Sequence, residues 1–247
     1  MRTIQLMAGM GMALLCGTQA LHAQNKLTVN GRADFVSNYV WRGSDQNSGF
    51  SVQPYLGLSY QGFTLSANGS QSLTHASDGP QEFDVNLGYA YKGWSLTVSD
   101  YWWNGMNAPY GHYSDGHHFE GTLAYNFEEQ LHLPLTLSWS TWFAGDDDYR
   151  FNDQGEAKRA FSTYISASYN IALPADITLT PAIGFTPWEG VYYRHAAITD
   201  LSLKASKALP ITKQFSLPLF VQVIVAPHDT AKQVDKTYLV FGCSLGF

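Results

Sequence analysis

The sequence predicts an all-β protein, a 12-stranded antiparallel up-and-down transmembrane β-barrel behind a cleavable signal peptide. Three observations carry that expectation. Large apolar residues alternate with small or polar ones over twelve segments, which is the strand period. Connections between segments alternate between short and long, as in outer-membrane barrels with tight periplasmic turns and wider external loops. Aromatic residues gather at both ends of the segments, where two membrane interfaces would hold amphipathic rings.

The 247-residue chain begins MRTIQLMAGMGMALLCGTQALHAQ. Arg2 precedes an apolar run from Leu6 to Leu15, and small residues follow, with the best cleavage position after Ala23. This is the layout of a secretory signal peptide, and the run is too short for a comfortable membrane-spanning helix. Cys16 raises a lipoprotein anchor, but Leu15 stands where that chemistry wants a small residue. Residues 1–23 are therefore read as the signal peptide and 24–247 as the barrel domain. Loss of the leader removes Arg2 and no acid, so the net charge of −6 becomes one unit more negative. Mild acidity argues against a nucleic-acid partner. Cys243 is the one cysteine left, so no internal disulfide can form.

The expected strands are 32–43, 50–60, 63–73, 82–91, 94–103, 117–127, 133–143, 160–170, 177–187, 197–206, 215–225 and 237–247. In the fourth, Phe83, Val85, Leu87, Tyr89 and Tyr91 alternate with Asp84, Asn86, Gly88 and Ala90. In the sixth, Phe119, Leu123, Tyr125 and Phe127 alternate with His118, Glu120, Thr122 and Asn126. The short connections are QG at 61–62, KG at 92–93, EEQLH at 128–132, IALPAD at 171–176 and ALPITKQF at 208–215. The longer ones fall at 44–49, 74–81, 104–116, 145–159, 188–196 and 227–236. An even strand count with this rhythm places both termini on the periplasmic side. Tyr60, Phe63, Tyr91, Trp94 and Phe127 form the expected girdle at the short turns. Trp41, Phe50, Trp102, Trp103, Trp142, Phe143 and Trp188 form the expected girdle at the loop ends. LGLSYQGFTLSAN at 56–68 aligns with LGYAYKGWSLTVS at 87–99, a repeated hairpin that suits a meander barrel.

The last segment, TYLVFGCSLGF, must pair with the first, because an open edge in a bilayer leaves backbone groups unsatisfied. Its terminal Phe247 resembles the assembly signal of bacterial outer-membrane proteins and points to the barrel-assembly machinery as a partner. Two residues fit badly: Pro181 cannot donate to a strand ladder, and Asp100 falls on an otherwise apolar parity. A bulge or an early strand end would explain either.

Several stretches carry a resemblance: ADFVSNYVWRG at 33–43, SDYWWNG at 99–105, HHFEGTLAYNF at 117–127, FSTYISASYNI at 161–171 and IGFTPWEGVYY at 183–193, together with DLSLKASKALPIT at 200–212 and FSLPLFVQVIVAP at 215–227. They resemble a conserved, largely uncharacterised family of bacterial outer-membrane β-barrels, of porin type and common in Bacteroides-like bacteria. S-N-Y-V-W-R-G is the most specific part. The resemblance implies a barrel in the outer membrane of a Gram-negative bacterium, in contact with its lipid and lipopolysaccharide. It supplies no substrate.

Candidate lumen-lining residues follow from the polar parity: Asp34, Asn38, Arg42, Glu82, Asp84, His118, Glu120 and Lys204. Such mixed charges either line an aqueous pore for small solutes or join into salt-bridged networks that fill a narrow lumen. Arg42 is the foremost candidate, and its structural alternative is an ion pair with Asp34 or Glu120. Three functions stay open: a porin-like passive channel, a closed barrel acting through its outer loops, and an outer-membrane lipid hydrolase. The last rests on His112 and Ser114, spaced as in barrel enzymes where a histidine activates a serine, although Asp115 stands where those enzymes commonly have asparagine. The parity of Ser114 points inward, away from lipid, and the chain is not read as an enzyme. Asp146, Asp148 and Asp153 are hard oxygen ligands without EF-hand spacing, so a solvated acidic loop is the simpler reading over a calcium site. No phosphate loop, zinc cluster or haem motif is present, and no organic cofactor or bound metal is expected.

Overall fold

The computed structural model describes residues 26–46, 49–74, 81–103, 109–113, 115–152, 154–227 and 236–246. The signal-peptide expectation and Phe247 lie outside them, as do Ser114 and Asp153. Twelve antiparallel strands close into a barrel. They are β1 (Thr28–Val36), β2 (Ser51–Tyr60), β3 (Phe63–Ser72), β4 (Gln81–Tyr91), β5 (Trp94–Trp103) and β6 (His117–Asn126), then β7 (Leu135–Gly145), β8 (Thr163–Tyr169, resuming as Ile171–Leu173), β9 (Ile177–Thr186), β10 (Ala197–Pro210), β11 (Ser216–Ala226) and β12 (Lys236–Gly246). Each strand pairs with its neighbours in sequence, and β1 pairs with β12 from Arg32↔Gly246 to Val36↔Gly242, which removes the edge.

The alternation read from the sequence sorts side chains between two faces. Leu56, Leu65, Leu87, Leu96, Leu123, Leu203, Val223 and Leu239 are exposed on the outer face. Ser66, Asp84, Asn86, Thr97, Ser99, Glu120, Thr122, Ser140 and Lys204 are buried on the inner one. The fold is thus inverted relative to a water-soluble domain, with its polar residues inside. The QG and KG connections turn in two residues, with Gln61 (φ 49), Gly62 (φ 89), Lys92 (φ 48) and Gly93 (φ 83) all left-handed, the type I′ geometry that matches strand twist. Tyr60, Phe63, Tyr91 and Trp94 stand exposed beside these turns.

Four expectations need correction. The first strand ends at Val36, not at residue 43. Ser37 donates its N–H to Phe241 O and accepts from Phe241 N at its hydroxyl, and then the chain leaves the sheet. It forms a small inner hairpin, Val40–Trp41 against Ser44–Asp45. Second, the loop-end girdle loses Trp41 and Trp142, which are buried, and Trp103, which is packed against them inside the barrel.

Third, Pro181 causes neither a bulge at its own position nor an early end of β9. The neighbouring strand yields instead. β8 is interrupted at Asn170, whose N–H turns to Pro134 O, while Ser168↔Ala182 and Ile171↔Leu179 flank the gap. A proline has no N–H for the ladder on that side. Fourth, Asp100 lies in a strand that continues regularly to Trp103. Its carboxylate is accommodated by His117 on β6.

Candidate functional site

The inner hairpin brings the most distinctive sequence motif inside the barrel. Its turn is Arg42–Gly43, both left-handed (φ 50 and 81), again the type I′ pair. A Cβ on Gly43 would stand 2.6 Å from Thr199 O, so the turn packs directly on the backbone of β10. Glycine is needed there for space as well as for φ.

From this tip Arg42 reaches Glu120 on β6. Nη1 donates to Oε2 at 2.6 Å and Nη2 to Oε1 at 2.8 Å, a bidentate ion pair with side chains 5% and 0% exposed. Nη1 also donates to Tyr192 Oη. The guanidinium lies over Trp41 (4.5 Å), Tyr164 (4.6 Å) and Tyr192 (5.4 Å), so aromatic faces replace the water that burial removes. Glu120 Oε1 further accepts from Tyr101 Oη at 3.0 Å and Thr122 Oγ1 at 3.2 Å. Tyr164 Oη in turn donates to Asp200 Oδ1 at 3.0 Å, and Thr199 Oγ1 donates to the same oxygen. Burial pushes the phenol of Tyr192, in the 187–196 loop, well above its ordinary range, so it stays neutral beside this charge pair.

Around the pair lies an aromatic cluster of Tyr39, Trp41, Trp103, Trp142, Tyr164 and Tyr192. Trp41 stacks on Trp142 at 6.3 Å and meets Trp103 edge-on at 5.8 Å. His118 sits between Trp103 (4.6 Å) and Trp142 (4.7 Å). A packed hairpin therefore occupies the loop end of the barrel.

The sequence candidates divide into three places. Arg42, Glu120 and His118 belong to this plug, and of the two acids offered for Arg42 the structure pairs it with Glu120. Arg42 and Asn38 are not strand residues: Asn38 donates to Asp45 Oδ1 at 3.1 Å within the inner hairpin. Glu82 and Asp84 lie side by side on the inner face of β4, where Tyr39 Oη donates to Glu82 Oε1 at 3.3 Å and Asn68 Nδ2 to Asp84 Oδ2 at 2.6 Å. Asp34 and Lys204 belong to the seam side. Asp34 accepts from Ser244 Oγ at 2.5 Å, and its Oδ2 stands 2.9 Å from Arg32 Nε as an ion pair. Lys204 Nζ has no hydrogen-bond partner among the described residues and lies 4.2 Å over the Phe220 ring.

Other expectations fall in the loops. His112 Nδ1 meets Asp115 Oδ2 at 2.9 Å on the surface, while Ser114 is outside the described residues. Asp148 is not part of a solvated loop. It is fully buried, accepts from Ser162 Oγ at 2.5 Å and stands 3.8 Å from Arg159 Nη1. No group of three or more His, Cys, Asp or Glu side chains gathers as a metal site among the described residues.

Sequence reasoning passed over Tyr39, Tyr101, Tyr164, Tyr192 and Asp200. Parity could have found part of this set. Tyr101 and Trp103 share the phase of Thr97 and Ser99, and Trp142 that of Ser138 and Ser140. Nothing in the alternation marks Tyr39, Trp41 or Tyr192, which lie on irregular or hairpin backbone.

No protein-family model matches the chain, and no curated protein matches it. Solved structures do. The chain is similar to a NanC porin, with a TM-score of 0.52 at 10% identity over 88% of this chain and 99% of that one. A KdgM porin matches with a TM-score of 0.44 at 10% identity, over 89% and 98% of the two chains. An outer membrane channel from Pseudomonas putida F1 matches at 0.40 and 14% identity, over 88% and 94%. At such identities the likeness concerns the fold.

Proposed function

We propose that the chain is an outer-membrane channel of the porin type, a passive route for small solutes that its own inner hairpin throttles at the loop end. The carrying observation is the inversion of the barrel wall, apolar outside and charged inside, around a lumen with Glu82, Asp84, Asp34 and Lys204 on its walls. An apolar outer face of this extent suits lipid and not water. The similarity to the NanC porin fold supports the same reading. In this proposal residues 1–23 direct export, the short turns and both termini face the periplasm, and the long loops face outward among lipopolysaccharide. Phe247 serves assembly, and the lumenal side chains set selectivity by size and charge. The resemblance to porin-type barrels of Bacteroides-like bacteria agrees with it.

One observation favours a second reading. Glu120 and Asp84 are fully buried and Lys204 is only 3% exposed, so the inner wall is packed where a wide aqueous pore would leave it wet. A barrel filled in this way would act through its outer loops as a binding or structural protein. The lipid-hydrolase reading has no such support.

Single-channel conductance of the full chain in a planar bilayer tests the proposal. The channel reading expects small, stepwise openings for the wild type, and larger or more frequent ones for Arg42→Ala, which unfastens the hairpin. Silence from both, with folding verified by heat-modifiable mobility, would leave the closed barrel as the function.

A further inference from the structure

The inner face of β4 holds two carboxylates with no counter-charge among the described residues. Glu82 and Asp84 are two residues apart on one strand, so they share a face with a repeat of about 7 Å. Both residues are more than nine-tenths buried. Neither has an ion-pair partner among the described residues, and the groups that touch them, Tyr39, Asn68 and Trp103, are neutral. Two buried cations are engaged elsewhere: Arg42 is committed to Glu120, and Lys204 lies over Phe220, six strands around the barrel.

The donors present satisfy only half of each carboxylate. Tyr39 serves Glu82 Oε1 and Asn68 serves Asp84 Oδ2, while Glu82 Oε2 and Asp84 Oδ1 are buried with no hydrogen-bond partner. An independent group points to the same place. Ser70 stands directly opposite Glu82 in the β3–β4 register, on the inner face and 5% exposed, and its Oγ is also without a partner. Three unserved oxygens therefore belong to adjacent positions of two paired strands. Two desolvated carboxylates cannot both stay ionised there without added positive charge. Oxygen atoms alone, two of them anionic, are the ligand chemistry of a hard divalent ion, with water completing the shell.

We propose that Glu82, Asp84 and Ser70 form a binding site for a divalent cation of calcium type on the inner wall of the barrel. The site neutralises the acidic pair and ties β3 to β4 beneath the inner hairpin, through Tyr39. It does not depend on whether the lumen conducts.

Terbium(III) luminescence on the full chain in detergent tests this, because Trp103 adjoins Glu82 and can sensitise a bound lanthanide. The expected result is saturable emission on tryptophan excitation, displaced by calcium. Asp84→Asn should weaken terbium by about tenfold or more, and Glu189→Gln, an acid in the 187–196 loop, should leave it unchanged. Calcium should also raise the thermal midpoint of the wild type and not that of Asp84→Asn. Should Asp84→Asn fail to fold, Ser70→Ala decides, with weaker terbium binding expected. Emission that does not saturate, or is indifferent to both variants, overturns the site. So does a calcium-independent midpoint with a wild-type pair that merely shares a proton.

Discussion

Asp100 Oδ1 and His117 Nδ1 stand 2.7 Å apart on the outer face of neighbouring strands β5 and β6. The His117 side chain is wholly buried although it points away from the lumen. Tyr113 stacks on the ring at 4.1 Å, Tyr110 meets it edge-on at 5.1 Å, and Tyr110 O lies 2.7 Å from Nε2. A loop segment thus covers a polar pair that would otherwise face outward. Asp100→Ala should lower stability by about 2 kcal/mol, as loss of a charged hydrogen bond does. It should also expose 109–113 to protease. Thermal midpoints and limited proteolysis in detergent check both, and an unchanged cleavage pattern would show that the pair does not hold the loop.

Arg42 and Lys are not interchangeable in the plug. Arg42→Ala leaves Glu120 buried without its cation, a loss of about 3–5 kcal/mol. Arg42→Lys keeps the charge but forfeits the bidentate fork and the flat stacking on Trp41 and Tyr164. We expect the lysine variant to recover less than half of the alanine loss in urea unfolding from lipid vesicles. Full recovery would mean that charge alone fastens the hairpin.

Gly43→Ala places a methyl group 2.6 Å from Thr199 O at a φ of 81. Strain of this kind costs about 1–3 kcal/mol. The expected outcome is a looser hairpin: a lower midpoint, and increased quenching of the Trp41 and Trp142 fluorescence by a water-soluble quencher.

Leu87 is exposed at mid-strand on the outer face of β4. Arginine there should cost about 2–4 kcal/mol in a bilayer, the range for a cation near the midplane of an outer-membrane barrel. Leu87→Phe should be nearly silent. Equal unfolding midpoints for Leu87→Arg and wild type in vesicles would contradict a membrane-spanning wall.

The barrel was legible because its physics is local and periodic. A strand such as 82–91 declares both faces in its alternation, and the QG and KG connections announce tight two-residue turns. The plug was not, because it arises from residues that leave the period. Arg42 read as a strand residue since V-W-R continues the alternation of β1, and only the type I′ turn at Arg42–Gly43 folds it inward. Trp103 and Trp142 carried conflicting signals: composition placed them in a belt, while parity placed them inside. Parity prevailed, as it must on an unbroken strand. Asp100 violated parity, and its relief came from His117, a partner on the adjacent strand that no local pattern pairs with it.

The seam between β1 and β12 fixes a temporal order. Every other wall contact joins strands that follow one another, so hairpins can form as the chain arrives. Asp34 and Ser244, hydrogen-bonded across the seam, are 210 residues apart. The ring can shut only after both ends of this span are in place, and that single non-local step carries a large loop-closure entropy and a slow rate. Until then two unpaired edges persist at once, each a template for mispairing with another chain. Mispairing before closure, more than instability after it, is therefore where this sequence is most exposed to failure.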